Sequence, residues 1–349
     1  MPWATLLAIF CCMTDVASAA GARATPPAEA EEQNADAVPA DPQAVDASPG
    51  TVDALTPECD RSDSEACMQL GYAYLEGDGV PKDDARSTAL FARACDLGKL
   101  TGCTMTGYAY SEGRGVEQSH HRAASYYAYA CHGGEATSCS NLGLSYIGGD
   151  GVPEDAKRAA TLFRKACDMG AIDGCANLGA SYSLGKGVAP SQRQAGRLFR
   201  RACQAGDQHA CYNLGVLYRD GLGMPRDYER AHALFEQSCR VDDASACGNL
   251  AMLVDDGRGV RKNRQRALEL YDRACRLGEA ESCFSLARAY QGGTGVIRDN
   301  GRAIELLERT LKLDPETDSA ADAIKALAIA RGTRVDAEGG DRSMPSKGR

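Results

Sequence analysis

The chain has 349 residues, a formal net charge of −9 and 16 cysteines, and only 6% of its residues are aromatic. Residues 1–58 contain nine acidic residues and one basic residue, so the remaining 291 residues are nearly neutral. A nearly neutral body lacks the basic stripe that nucleic-acid binding requires, and the sequence contains no apolar run long enough to cross a bilayer. We therefore expect neither a nucleic-acid partner nor a membrane-spanning helix.

The N-terminal region has the features of an exported protein. Residues 1–19 resemble a secretory signal peptide, because an apolar run over residues 2–13 precedes the small-residue sequence A-S-A at residues 17–19. They depart from the usual pattern in having no Lys or Arg before Arg23. Residues 20–58 are rich in Ala, Pro, Glu and Asp with little apolar bulk, which predicts a disordered acidic linker.

Fourteen cysteines set the organisation of the rest of the chain. They form seven pairs whose members are eight positions apart, and each pair begins 36 positions after the previous one without insertion or deletion. A fixed period of this length predicts an array of repeats, each of them one supersecondary unit. The array spans residues 59–314. The paired cysteines are Cys59, Cys67, Cys95, Cys103, Cys131, Cys139, Cys167, Cys175, Cys203, Cys211, Cys239, Cys247, Cys275 and Cys283.

The first half of each repeat predicts a helix, called helix A. Apolar or small residues recur 0, 3, 4 and 7 positions after the second cysteine of each pair, as in Cys139, Leu142, Gly143 and Tyr146. These offsets mark one face of an α-helix. The column of Tyr residues is expected to fill the groove between this helix and the next.

A glycine-rich loop and a second helix, called helix B, complete each repeat. The loop of the third repeat is G-D-G-V at residues 149–152, and an apolar stripe that includes Leu162 and Phe163 then leads to Cys167. Helix B usually ends on a glycine three residues after that cysteine, as at Gly170. Glycine is favoured there because it tolerates the left-handed conformation that closes a helix.

Seven helical hairpins of this kind predict an all-α solenoid. A single hairpin cannot bury both of its apolar faces, whereas stacked hairpins share a continuous core. Residues 315–331 are expected to form a C-terminal capping helix that covers the apolar end of the stack. Residues 332–349 are expected to be a disordered polar tail.

The cysteine spacing favours disulfide bonds over zinc. Eight residues of unbroken helix span about 12 Å, but the Cα atoms of a disulfide lie within about 7 Å. A glycine between the two cysteines breaks the helix, so Cys95 at the end of one helix B can meet Cys103 at the start of the next helix A. Structural zinc needs closely spaced ligands, and the chain has no C-x-x-C motif and only five His. Disulfides require an oxidising compartment, so we expect a periplasmic or secreted protein without metal or other cofactor.

The repeat unit resembles a known family. The pattern A-C-x-N-L-G-x-x-Y-x-x-G-x-G-V, followed by an L-F-x-x-A-C helix, is similar to Sel1-like repeats of the tetratricopeptide-related class. The cysteines eight positions apart resemble those of the Helicobacter cysteine-rich protein family in particular. The resemblance covers residues 59–314. It implies a right-handed α/α solenoid whose A helices line a concave face, and a scaffold that binds protein partners.

The expected binding face is formed by columns of helix A next to the second cysteine. Four successive Asn lie two positions after that cysteine, and an amide offers both a donor and an acceptor to a peptide backbone. The alternative is that each Asn binds the neighbouring repeat. Aromatic residues one or five positions after the cysteine are candidate anchors, and the alternative is scattered surface side chains. The candidate peptide-binding residues are Asn141, Asn177, Asn213, Asn249, Tyr72, Tyr108, Tyr212 and Phe284.

Two rival functions follow from the resemblance. Some relatives bind or slowly hydrolyse β-lactams, and a mitochondrial relative is an assembly factor. A serine β-lactamase uses S-x-x-K at the start of a helix together with S-D-N and K-T-G. The one S-x-x-K match, Ser183 to Lys186, places its Lys in a glycine loop, and neither other motif follows. We therefore predict no catalytic residue, and a monomeric scaffold that binds a protein or peptide partner.

Overall fold

The computed structural model describes residues 49–315 and 320–331. Within this part of the chain all regular structure is α-helical and no β-strand is present. It falls into two compact units, residues 49–207 and residues 208–331, called here the N-terminal and C-terminal units. The predicted signal peptide, the first part of the linker and the predicted C-terminal tail lie outside the described residues.

Sixteen helices make up the described chain. Those of the N-terminal unit are α1 (Pro49–Asp60), α2 (Ser64–Glu76), α3 (Asp84–Asp96), α4 (Leu100–Glu112), α5 (His120–Gly133), α6 (Ala136–Gly148), α7 (Ala156–Asp168), α8 (Ile172–Leu184) and α9 (Gln192–Gln204). Those of the C-terminal unit are α10 (Gln208–Asp220), α11 (Tyr228–Arg240), α12 (Ala244–Asp256), α13 (Arg264–Arg276), α14 (Ala280–Gly292), α15 (Asn300–Leu313) and α16 (Ala320–Arg331).

The helices form seven hairpins, as the period predicted. Even-numbered helices from α2 to α14 are the A helices, and odd-numbered helices from α3 to α15 are the B helices. Within each unit, helix A packs against helix B of its own repeat, and helix B packs against helix A of the next repeat. The all-helical solenoid fold class is therefore confirmed. Helix α16 packs against α15 and buries Ala320 and Ala323.

Close packing inside a hairpin depends on the glycine of helix A. A Cβ atom on Gly143 would lie 2.5 Å from the Cε1 atom of Phe163, so only glycine leaves room for this fully buried ring. The ring of helix B thereby rests on the backbone of helix A. This arrangement explains how a chain with few aromatic residues fills its core. The same contact joins Gly71 to Phe91, Gly179 to Phe199 and Gly215 to Phe235.

The second glycine of four of the loops makes a contact that the sequence did not reveal. Gly151 has φ of 72°, and a Cβ atom there would lie 2.2 Å from the carbonyl oxygen of His120. His120 begins helix B of the preceding repeat. The loop is thus a turn within one repeat and also a backbone contact to its neighbour, and glycine is required for both. Equivalent approaches join Gly115 to Asp84, Gly187 to Ala156 and Gly259 to Tyr228.

The predicted disulfides are confirmed. All fourteen cysteines from Cys59 to Cys283 are disulfide-bonded. Each of the six bonds with described geometry links the end of one helix to the start of the next A helix, with Cα atoms 4.5 to 4.7 Å apart. Seven such pairs indicate an oxidising, extracytoplasmic environment. The pairs with described geometry are Cys59–Cys67, Cys95–Cys103, Cys131–Cys139, Cys167–Cys175, Cys239–Cys247 and Cys275–Cys283.

The predicted disordered linker is wrong for residues 49–58, which form most of α1. Val52, Leu55 and Cys59 are buried on one face of this helix, and Cys59 is bonded to Cys67. Helix α1 therefore takes the position of a helix B before the first hairpin. The acidic composition of the segment concealed it, because only three apolar residues carry its helical spacing.

The contribution of one bridge to stability can be measured with the double variant Cys131→Ser/Cys139→Ser. Opening a nine-residue loop removes about 2.6 kcal/mol of stabilisation in the chain-entropy model. We expect the free energy of unfolding, measured by urea titration with circular dichroism, to fall by about 2–3 kcal/mol. The exposed control Thr161→Ser should leave it unchanged. An unaltered unfolding midpoint in the double variant would contradict a stabilising role.

Candidate functional site

The candidate site is a face of the A helices that adjoins the face packed against helix B. It consists of the positions −2, +1, +2, +5 and +8 relative to the second cysteine of each repeat, and is called here the A-helix face. At about 100° per residue, these five offsets fall within an arc of about 120° and so share one side of a helix. All eight sequence-predicted binding residues belong to it: four lie in the N-terminal unit and four in the C-terminal unit.

In the N-terminal unit, all four predicted residues are partly exposed, Asn177 among them. Tyr72 packs edge-on against the ring of Phe91, with centroids 5.1 Å apart. Tyr108 lies beneath the guanidinium group of Arg114, 5.3 Å from the ring centroid, which is a cation–π contact. Asn141 on α6 is also partly exposed. These side chains have surface available to a ligand.

Asn177 instead joins two repeats. Its Nδ2 donates to Oγ of the fully buried Ser140 at 3.3 Å, which links α8 to the preceding A helix, α6. Ser140 also forms a hydrogen bond with the carboxylate of Asp173. Burial raises the pKa of Asp173, and the bond with Ser140 offsets part of this rise. Asn177 therefore binds the neighbouring repeat, through a side-chain hydroxyl group rather than the backbone.

In the C-terminal unit, Tyr212 and Asn213 are buried. Tyr212 is 6% exposed, and its ring centroid is 5.8 Å from that of Phe235. Burial raises the pKa of Tyr212 to about 12. Asn213 is 9% exposed, and its Oδ1 accepts no hydrogen bond within the described chain. Both side chains contribute to the interior of the unit, whereas Phe284 is partly exposed beside Arg288.

A buried charged network surrounds Asn249. Its Nδ2 donates to the carbonyl oxygen of Ser245 at 2.8 Å and to the hydroxyl of Tyr212 at 3.5 Å. Its Oδ1 accepts a hydrogen bond from Nη1 of Arg219, which is only 8% exposed. Nε and Nη2 of Arg219 each donate to one carboxylate oxygen of Asp220 at 2.7 Å. The buried cation is thus compensated by a bidentate ion pair.

Sequence reasoning missed Arg219 and Asp173. Arg219 lies eight positions after its cysteine and is the only basic residue in that column. A single basic residue in this column, followed directly by Asp220, was the available signal. Asp173 lies two positions before its cysteine, in a column of mixed polarity, so its burial could not be inferred from the pattern.

The S-x-x-K match does not form a nucleophilic site. Ser183 is 5% exposed and lies in the last turn of α8, not at a helix start. Its Oγ donates to Oε1 of Gln192 at 3.1 Å. Among the described residues no group of three or more His, Cys, Asp or Glu side chains is arranged to hold a metal ion. No helix in that part of the chain is both long and apolar enough to span a bilayer.

The repeats match a known family model. The model for the Sel1 repeat matches residues 64–99, 101–135, 136–170, 172–207, 208–243, 244–279 and 280–314, so each match contains one hairpin. The chain belongs to the Sel1 repeat family. This confirms the resemblance seen in the sequence. No curated protein sequence gives a significant match to this Sel1 repeat protein.

Two of the solved structures that this chain resembles share its fold. A protective antigen of uropathogenic Escherichia coli is 24% identical, with 81% of this chain and 68% of that chain covered and a TM-score of 0.54. A Sel1 repeat protein from Oxalobacter formigenes is 22% identical, with 65% of this chain and 90% of that chain covered and a TM-score of 0.59. Cysteine-rich protein B of Helicobacter pylori is 27% identical, with 36% of this chain and 90% of that chain covered and a TM-score of 0.30.

The role of Asn249 can be tested with Asn249→Ala. The substitution leaves buried Arg219 without one acceptor and Tyr212 without a donor, and an unsatisfied buried polar group costs about 1–3 kcal/mol. We expect urea unfolding to show a loss of that size. The matched control Asn141→Ala, on the same column of the N-terminal unit, should change stability by less than about 0.5 kcal/mol. Equal effects of the two variants would show that the network does not stabilise the protein.

The raised pKa of Asp173 predicts a pH-dependent effect of Asp173→Asn. A carboxyl group whose pKa is higher in the folded state opposes folding above its folded pKa and has no such effect below its unfolded pKa. The amide keeps a partner for Ser140 but cannot ionise. We therefore expect the stability of Asp173→Asn, relative to the parent protein, to increase between pH 3 and pH 7. Urea unfolding at both pH values tests this, and a pH-independent difference would contradict it.

Proposed function

We propose that this Sel1 repeat protein is an exported, non-catalytic scaffold that binds protein or peptide partners along its A-helix faces. The observation that carries the proposal is the contrast between two sets of positions. The positions at which helix A and helix B pack together hold nearly the same residue in every repeat. The residue directly after the second cysteine, in contrast, is different in all seven repeats. That column reads Met68, Thr104, Ser140, Ala176, Tyr212, Gly248 and Phe284.

The exposed chemistry of the N-terminal unit supports peptide recognition. On α4, Met105 and Tyr108 are partly exposed, and on α6 Asn141 and Leu144 are partly exposed. An aromatic ring and a thioether provide apolar contact area, while an amide offers a donor and an acceptor to an extended backbone. This mixture of aromatic, apolar and amide groups is typical of peptide-binding surfaces.

The bridges support the same proposal energetically. A surface built on helices that are covalently linked at each repeat has fewer conformations to lose on binding. Preorganisation of this kind lowers the entropic cost of association. The A-helix face therefore suits a ligand that contacts several consecutive helices.

Export to the periplasm or the extracellular medium is part of the proposal. It rests on the seven disulfide-bonded pairs and on the signal-like sequence of residues 1–19. In this scheme the signal-like segment of residues 1–19 is cleaved off, and residues 20–48 lie between the cleavage site and helix α1.

A site-specific cross-linking experiment tests the proposal. The photoreactive residue p-benzoyl-phenylalanine replaces Tyr108 on the A-helix face or, as a matched control, Tyr129, which is 59% exposed on helix B. Peptides selected for binding from a random library are then irradiated with each variant. We expect at least tenfold more adduct at position 108, and a tenfold loss of affinity for Tyr108→Ala but not for Tyr129→Ala.

Two outcomes would contradict the proposal. Equal cross-linking at positions 108 and 129 would exclude the A-helix face as the preferred site. Hydrolysis of a chromogenic β-lactam above the blank, by protein with its disulfides intact, would contradict the non-catalytic assignment.

A further inference from the structure

Cationic side chains are concentrated on two B helices of the N-terminal unit. Helix α7 contains four basic residues and one acidic residue, and α9 contains four basic residues and no acidic residue. Six of these cations are exposed and form no ion pair with any carboxylate of the described residues. They are called here the basic face, which consists of Lys157, Arg164 and Lys165 on α7 and Arg193, Arg197 and Arg201 on α9.

The basic face lies on the side of helix B that faces away from the core. At about 100° per residue, its three positions on each helix fall within an arc of about 100°, and the fully buried rings Phe163 and Phe199 lie outside that arc. The face extends over two exposed helices of 13 residues, each about 20 Å long. It is therefore a broad charged surface rather than a pocket.

The two helices are neighbours, and half of the cations are held in place by neutral acceptors. Nη1 of Arg201 on α9 donates to Sγ of Cys167 at the end of α7, at 3.5 Å. Nζ of Lys165 donates to the carbonyl oxygen of Cys131 at 2.6 Å, and Nη2 of Arg164 donates to the hydroxyl of Tyr182 at 2.9 Å. These bonds restrict the side chains but leave their charges uncompensated.

The B helices of the C-terminal unit carry their charges differently. Arg266 forms an ion pair with Glu269 at 3.2 Å, and Arg302 forms one with Glu305 at 2.8 Å, in each case within one turn of the same helix. Such pairs neutralise the cations locally. The basic face is thus a local concentration of positive charge in a chain whose net charge is −9.

Two exposed apolar side chains lie at the edge of the basic face. Met169, directly after α7, is 39% exposed, and Ile172, the first residue of α8, is 40% exposed. Both follow closely after Cys167, the residue that Arg201 contacts. Exposed apolar side chains beside a row of cations are typical of surfaces that bind at the membrane interface, where apolar burial adds to attraction by anionic lipids.

We propose that the basic face docks on an anionic phospholipid membrane surface, with Met169 and Ile172 inserted among the headgroups. Four of its six cations are Arg, whose planar guanidinium group can donate two hydrogen bonds to one lipid phosphate. Clusters of four to eight Lys and Arg are the usual size of a site for anionic lipids. The proposal concerns the B helices and does not depend on peptide binding by the A-helix face.

Other polyanions fit these observations less well. An acidic protein segment would be attracted by the cations, but it would leave the exposure of Met169 and Ile172 without a role. Single-stranded nucleic acid is usually bound through aromatic rings on which the bases stack. Neither the basic face nor its two apolar neighbours include an aromatic residue.

The test measures binding of the exported, disulfide-bonded protein to lipid vesicles by flotation. One set of vesicles contains phosphatidylcholine alone, and the other contains about one third phosphatidylglycerol. We expect at least tenfold tighter binding to the anionic vesicles. Most of this preference should be lost when the salt concentration rises from about 0.1 M to about 1 M, because the Debye length falls to about 3 Å.

Variants localise the binding. The double variant Arg193→Gln/Arg197→Gln removes two charges at exposed positions and keeps a good helix former. Each cation near an anionic leaflet contributes about fivefold to binding, so we expect at least tenfold weaker binding to the anionic vesicles. The matched control Arg266→Gln/Arg302→Gln changes the net charge by the same amount and should bind within about twofold of the parent protein. Thermal unfolding establishes that each variant is folded.

The variant Ile172→Ser and a soluble acidic peptide distinguish a membrane from an acidic protein partner. Ile172→Ser should bind the anionic vesicles at least threefold more weakly, because less apolar surface is buried. Decaglutamate, which carries charge but no bilayer, should bind the parent protein far more weakly than the vesicles do.

Three outcomes would overturn the proposal. These are equal binding to neutral and anionic vesicles, undiminished binding by Arg193→Gln/Arg197→Gln, and binding of decaglutamate as tight as that of the vesicles. The last outcome, together with an unchanged affinity of Ile172→Ser, would assign the basic face to an acidic protein partner. None of these results bears on cross-linking of peptides at position 108, so the scaffold function stands or falls separately.

Discussion

The structure depends on one covalent constraint, the bond that joins the end of one helix to the start of the next A helix. The two cysteines of a pair are eight residues apart, and the intervening turn brings their Cα atoms to within 4.7 Å. Because the link is local in sequence, it forms without distant parts of the chain having to meet first. The bond recurs at each junction whose geometry is described, and it holds the ends of the two helices together there.

With this constraint in place, the two sides of each A helix have different roles. The side facing helix B holds a small residue in every repeat, and in five repeats it is a glycine that leaves room for a buried ring, as Gly143 does for Phe163. The A-helix face is free to vary, and the chain uses it differently in each unit. In the C-terminal unit, part of this face is closed by the network of Tyr212, Asn249 and Arg219.

Features that recur with the period could be predicted from the sequence, whereas features that occur once could not. The hairpins and their bridges follow from columns that repeat seven times. The partner of Asn177 depends on whether a hydroxyl group lies 37 residues earlier, as it does at Ser140. Arg219 is the one basic residue of its column, and only coordinates show what surrounds it. Helix α1 was missed because its three apolar residues are diluted by acidic neighbours.

The most direct measurement is a disulfide map of the exported protein, obtained by mass spectrometry of a protease digest under non-reducing conditions. The account predicts seven bridges, each between cysteines eight residues apart, and no free thiol among the fourteen cysteines of the array. Free thiols at these positions, or bridges between cysteines of distant repeats, would contradict it.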